Sequence, residues 1–215
     1  MDINCKEIKE NARLNLKGNW KVAILSSFVY SMLSLIQEFM PESSSRWFSI
    51  GTTIYNSLFI FGYTAIMLHI VRGEKAEFIE MFTEYKRFFK GLGIMLVMTI
   101  YTILWSLLLV IPGIVAAIKY SMTFYIWVDN PDIGIDEAIS ESIEITEGHK
   151  LEIFKLVLSF IGWIALILVP DLLVKFFAPQ YFGLIMSIGM IVLSPYIEVS
   201  MATLYTRLVN ERQNR

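Results

Sequence analysis

The stretch GLGIMLVMTIYTILWSLLLVIPGIVAAIKYSMTFYIWV, residues 91–128, runs for 38 residues with a single charged side chain, Lys119. An α-helix rises about 1.5 Å per residue and the hydrocarbon of a bilayer is roughly 30 Å thick, so about 20 residues cross it once. The run is too long for one crossing and suits two. Pro112 and Gly113 stand inside it. Proline lacks a backbone donor and glycine permits a reversed backbone, so the sequence predicts a tight hairpin turn at this pair. A third span, 91–111, then precedes a fourth, 113–128; a kinked or re-entrant element is the other reading of the same residues.

The chain on either side is written in the same way. Upstream, residues 20–40 form a first span that ends at Pro41 in the polar string PESSSR, and residues 49–71 form a second. Downstream, a fifth span covers 151–169, an outer turn holds PDLLVKFFAPQY, and a sixth covers 182–205. The composition agrees: 55% of residues are hydrophobic and 18% charged, with a mean hydropathy of +0.57, whereas soluble domains are roughly 45–50% apolar and about 25% charged. The expected fold class is all-α, a multi-pass transmembrane bundle of about six spans forming one domain over 1–215, with the lipid bilayer as its main partner. The opening MDINCKEIKENARLNLKGNW has no short apolar core followed by a small-residue cleavage site, so it is expected to stay on the mature chain.

Three amphipathic segments interrupt the spans, at 3–17, 75–90 and 135–147. In the second, Phe78, Met81, Phe82, Tyr85, Phe88 and Phe89 recur at helical spacing, which predicts a helix lying in the interface. The third is acidic, with Asp136, Glu137, Glu141, Glu144 and Glu147 largely off its apolar face, and Gly148 stops it. Each segment precedes a pair of spans. The junctions LKGNWK (16–21) and TEGHKL (146–151) look alike, and FFKGLG (88–93) is a looser match, so three units of surface helix plus hairpin are expected. Fifteen of the eighteen Lys and Arg residues fall in 1–21, 72–90, 150–155 and 207–215, leaving Arg46, Lys119 and Lys175 elsewhere. By the positive-inside rule both termini are expected on the cytoplasmic side.

The residues PGIVAAIKYSMTFYIWVDNP at 112–131, with EAI at 137–139, Ser142 and GHK at 148–150, resemble the signature of the bacterial integral-membrane family catalogued as domain of unknown function 975. The opening IKENARLNLKGNW is similar to that family's start. The resemblance implies a multi-pass bacterial plasma-membrane protein and carries no catalytic, cofactor-binding or metal-binding residue.

The candidate chemistry lies in polar residues within the spans. A Lys near the middle of a span costs about 2.5–3.5 kcal/mol on insertion scales, so Lys119 is expected to pair with Glu38 or Asp171, at compatible depth, or to snorkel to the interface unpaired. Glu198 follows Pro195 and either faces an internal cavity with Tyr196 and Ser200 or marks the end of its span. Gly113, Ala117 and Ser121 in the fourth span, and Gly183 and Ser187 in the sixth, have the small-residue spacing that lets helices approach closely. Trp20, Trp47 and Trp127 read as interface anchors and Trp105 and Trp163 as packing residues between helices. His69 and His149 read as an interface residue and a helix-end cation. Cys5 is the only cysteine, a free thiol or an acylation site.

No metal-ligand spacing, nucleophile elbow or phosphate-binding glycine loop occurs, and a net charge of -2 without a basic patch sets nucleic acid aside. The expected function is therefore non-enzymatic and without cofactors: an envelope accessory that contacts a membrane or cytosolic protein partner through the acidic helix 135–147. The alternative is a small transporter or channel for peptide, lipid or solute using Lys119 and Glu198.

Overall fold

The computed structural model describes residues 4–37, 42–108 and 110–213, without the side chains of 42–46, 84–88, 108 and 110. Among these residues the chain is helical throughout: α1 (Cys5–Leu16), α2 (Trp20–Gln37), α3 (Glu42–Arg72), a 3₁₀ segment (Phe78–Arg87), α4 (Phe88–Leu108), α5 (Val110–Tyr120), α6 (Thr123–Asp129), α7 (Ile135–Ile145), α8 (Lys150–Leu158), α9 (Ile161–Phe177), a short 3₁₀ turn (Pro179–Tyr181) and α10 (Leu184–Gln213). Among the described residues six helical stretches are long and apolar enough to cross a membrane: Trp20–Gln37, Trp47–Arg72, Phe89–Leu107, Ile111–Asp129, Lys150–Phe177 and Pro179–Gln213. They correspond one for one to the six expected spans.

The boundaries differ from the expected ones at Pro112 and Pro170. Pro112 and Gly113 lie within the first turn of α5, not in the turn that joins it to α4. A first-turn proline is tolerated because its missing N–H has no intrahelical partner in any case. The hairpin itself is present: Gly113 packs on Ser106, the Tyr101 and Tyr120 rings lie 6.2 Å apart, and α4 and α5 therefore run antiparallel. Likewise Pro170 does not open an outer turn. It sits inside α9, which continues to Phe177. The fourth and fifth spans are instead broken by short turns, between Tyr120 and Thr123 and between Leu158 and Ile161.

The order of the surface elements gives the molecule its plan. α1 packs on α10, the 3₁₀ segment on α3, and α7 on α6. Each lead element thus lies on the second span of the preceding unit, and α1 closes the cycle on the last. The resemblance between the first and third junctions is structural. Gly18 and Gly148 both end their helices with positive φ, +96° and +85°, where only glycine is comfortable. The flanking bonds recur 130 residues on: Asn19 N–H to Leu16 O and His149 N–H to Thr146 O, then Ala23 N–H to Asn19 O and Ile153 N–H to His149 O. Ile8, Ala12 and Leu16 correspond in this register to Ala138, Ser142 and Thr146, and all six are fully buried. The middle unit departs from the pattern. Its lead is a 3₁₀ segment rather than an α-helix, and Gly91 lies inside α4 against Phe61 rather than at a stop.

The core occupies one end of the bundle. It collects Phe61, Ile66, Met67 and Leu68 of α3, Met122, Tyr125 and Trp127 of α6, and Val199, Ala202, Leu204 and Leu208 of α10, against α1 and Met81. Gly62 admits the backbone of Met81, which a Cβ there would meet at 2.5 Å. Elsewhere large apolar side chains are bare, among them Leu96, Ile103 and Leu107 of α4 and Leu166, Val169 and Phe176 of α9. An apolar surface of this extent fits a chain solvated by lipid. The tryptophans are sorted differently from the expectation: Trp127 is fully buried, while Trp105 and Trp163 are 45% and 47% exposed.

Candidate functional site

Glu198 stands three residues beyond Pro195 on α10 and lines a cavity of about 310 Å³ together with Tyr30, Tyr63, Thr64, Ser121 and Tyr125. The expected neighbours, Tyr196 and Ser200, are not there. On a helix, residues two apart point away from each other, and Tyr196 packs edge-on to Phe160 and donates to the carbonyl of Lys9. Ser200 donates to its own helix at Tyr196 O. The polar partners come from the other two units. Tyr125 Oη donates to Glu198 Oε2 at 2.7 Å, and Tyr30 stacks on Tyr63 with centroids 5.1 Å apart. The Ser27 and Ser194 hydroxyls, 2.6 Å apart, tie α2 to α10 beside them.

A second polar chain runs outward from this cluster. The ring of Tyr125 stacks on Tyr205 at 5.4 Å, Tyr205 donates to Asp129 at 2.8 Å, and Arg72 donates to the same carboxylate oxygen at 2.7 Å. This joins the carboxyl ends of α3 and α6 to the middle of the second half of α10. The sequence alone does not single out these tyrosines. The signal available there was a tyrosine in each of several spans, and hydropathy does not say which face a tyrosine occupies.

Lys119 occupies the last turn of α5, where the helix dipole favours a cation. It forms no ion pair among the described residues, and Glu38 lies outside them. Asp171, buried to 2% exposure, is engaged elsewhere: its carboxylate accepts from the backbone N–H groups of Gly183, Ile185 and Met186 at 3.1–3.4 Å. A carboxylate at the amino end of α10 satisfies donors that the helix cannot.

The small residues divide by role. Gly113 gives close approach to Ser106 of α4, and Ala117 lines a groove with Met98 and Thr102 of that helix. Ser121 lies at the break after α5 and reaches the Glu198 cavity. Gly183 has φ +90° and makes the turn into α10, so it is a turn residue rather than a packing residue. Ser187 is half-buried on α10, whereas Gly189 permits a close approach of α10 to α9, since a Cβ there would meet Ile167 Cγ2 at 2.5 Å.

The acidic helix α7 is partly neutralised within the chain, because Arg212 pairs with Glu141 at 3.2 Å and Glu144 at 3.0 Å. Its buried face carries Ser142, whose Oγ accepts from Met122 N–H at 3.2 Å and donates to Lys119 O at 2.7 Å. Ser142 thereby bridges the break between α5 and α6. Lys9 of α1 plays the matching part at the other break, bonding Ser159 O and Oγ at 3.3 Å with its ammonium over the Phe160 ring. His69 bonds Glu80 at 2.6 Å and His149 approaches Glu211 at 3.6 Å. Among the described residues no group of three or more His, Cys, Asp or Glu could hold a metal ion.

The family model described as "Protein of unknown function (DUF975)" matches residues 1–118 and again 107–212. Two matches on one chain suggest an internal repeat. No curated protein matches this chain, and no solved structure matches it.

Proposed function

Since the chain belongs to the DUF975 family, whose model it matches across residues 1–212, we propose that it is a non-enzymatic protein of the bacterial plasma membrane, both termini cytoplasmic, that takes up a small organic cation in the Glu198 cavity. One observation carries the reading: a carboxylate on a membrane-span helix opens into a cavity whose other polar walls, Tyr30, Tyr63, Thr64, Ser121 and Tyr125, come from the first two hairpins, with Ile60, Phe124 and Met201 as its apolar walls. Ionisable groups within spans are costly and are kept where they face a cavity or a substrate path. Tyrosine faces attract cations through the ring quadrupole, and Glu198 supplies the countercharge. A volume of about 310 Å³ is at the small end of ligand pockets, which favours a solute of a few heavy atoms.

The test uses labelled methylammonium with the purified protein in proteoliposomes. Saturable binding or uptake is expected for the wild type and a loss of about tenfold or more for Glu198→Gln, the loss of a charge-assisted contact. The amide keeps an acceptor for Tyr125, so the fold is unaffected. An unsaturable wild type, or a variant that matches it, refutes the proposal.

The docking of a basic partner on α7 is the second reading. Asp136 and Glu137 remain exposed, although the pairing of Glu141 and Glu144 with Arg212 makes this surface smaller than its sequence implies. Crosslinks to a partner that disappear in Asp136→Lys/Glu137→Lys support it, and their persistence removes it.

A further inference from the structure

Away from the Glu198 cavity, α1, α2, α9 and α10 enclose a groove of about 390 Å³. Its walls are Trp20, Trp163, Ile167, Val192 and Leu193, and its one charged member is Arg13. Gly189 makes the floor, since α10 lies directly on Ile167 there. The groove opens onto the bare apolar face of α9, where Trp163 and Leu166 are 47% and 67% exposed. Such a concavity faces hydrocarbon on one side and meets a cation at its α1 end.

The charges around it are unbalanced. Arg13 forms no ion pair among the described residues, and of the two acids on α1, Glu7 is bonded to Arg207. Over residues 4–21 five Lys and Arg face two Glu. Lys9, one turn away, is fixed on Ser159 and the Phe160 ring. A guanidinium presents planar donors that match phosphate oxygens, and basic residues at a membrane boundary attract anionic headgroups. Trp20 and Trp163 have the amphipathic rings that favour headgroup level.

We propose that this groove is a binding site for one anionic phospholipid, with the phosphodiester on Arg13 and an acyl chain along Trp163, Ile167 and Val192. A zwitterionic lipid offers the same chain but cancels its own phosphate charge, so the site discriminates by headgroup.

The experiment places the wild type and Arg13→Gln in nanodiscs of equal phosphatidylglycerol and phosphatidylcholine, re-extracts the protein mildly and measures the retained lipids by native mass spectrometry. Phosphatidylglycerol enriched about tenfold on the wild type is expected, one charge-assisted hydrogen bond in size, with near parity on Arg13→Gln and partial enrichment on Arg13→Lys. Trp163→Ala lowers retention of both lipids without altering their ratio. Parity on the wild type overturns the proposal, as does enrichment that survives Arg13→Gln. Displacement of the lipid by millimolar inorganic phosphate overturns it by making the headgroup alone the ligand. Crosslinking of two copies through the groove overturns it by naming another occupant. Unchanged circular dichroism keeps loss of fold from imitating loss of the site.

Discussion

Replacing Ser142 by alanine removes the side chain of α7 that bridges the α5–α6 break, leaving the bond from Thr123 Oγ1 to Tyr120 O as a side-chain contact within the break itself. The hydroxyl is fully buried, as is Met122, whose N–H it accepts at 3.2 Å. The same oxygen donates to Lys119 O at 2.7 Å. A typical hydrogen bond contributes about 1 kcal/mol net, but a buried donor left without a partner costs about 1–3 kcal/mol. Loss of the methylene-sized hydroxyl volume adds little. The expected destabilisation is therefore about 2 kcal/mol, or roughly 4–8 °C in Tm for a domain of this size. Thermal unfolding in detergent, followed by tryptophan fluorescence, reads it directly because Trp127 lies on α6. Ser140→Ala, on the exposed side of the same helix, is the control and should shift Tm by about 1 °C or less. If the two alanine variants melt together, Ser142 does not hold the break and the account of how this span tolerates its interruption is wrong.

Other perturbations follow from the same geometry. Gly189→Ala forces a Cβ into Ile167 and should lower Tm by several degrees, whereas Gly162→Ala has open space around it and should be neutral or raise Tm through helix propensity; equal effects would deny the close α9–α10 approach. Asp171→Ala strips the amino end of α10 of its acceptor and should cost about 1–2 kcal/mol, and Asp171→Asn, which keeps one oxygen, less than half of that; protease mapping should show new cleavage near residues 178–184 in the alanine variant alone. Tyr125→Phe removes the donor to Glu198 and should weaken methylammonium binding less than Glu198→Gln does, since the countercharge stays; a Tyr125→Phe defect as large as the Glu198→Gln one would make the phenol the principal ligand.

The six spans, the three amphipathic segments and the glycine stop at Gly148 are properties of the sequence alone. Each depends on local physics: the length of apolar chain that lipid will dissolve, the spacing of apolar residues on a helix, and the few residues that accept positive φ. Proline misled at Pro112 and Pro170 because its local meaning, a helix start or a turn, is decided by what surrounds it. In a first turn it leaves no new orphan donor, and inside α9 the flanking apolar residues continue the helix past it.

What the chain could not announce is which side of each span faces protein. Lipid and protein core are equally apolar, so hydropathy gives the same reading to buried Trp127 and exposed Trp163. The partners of the polar residues lie far off in sequence: Tyr125 reaches Glu198 across 73 residues and Ser27 reaches Ser194 across 167. A carboxylate in a span announces a need for company, but only the crossing of α2, α3, α6 and α10 chooses it. The same holds for Arg13. Its sequence neighbourhood says only that it is basic, and the groove that gives it a use exists because Gly189 lets α10 lie against Ile167.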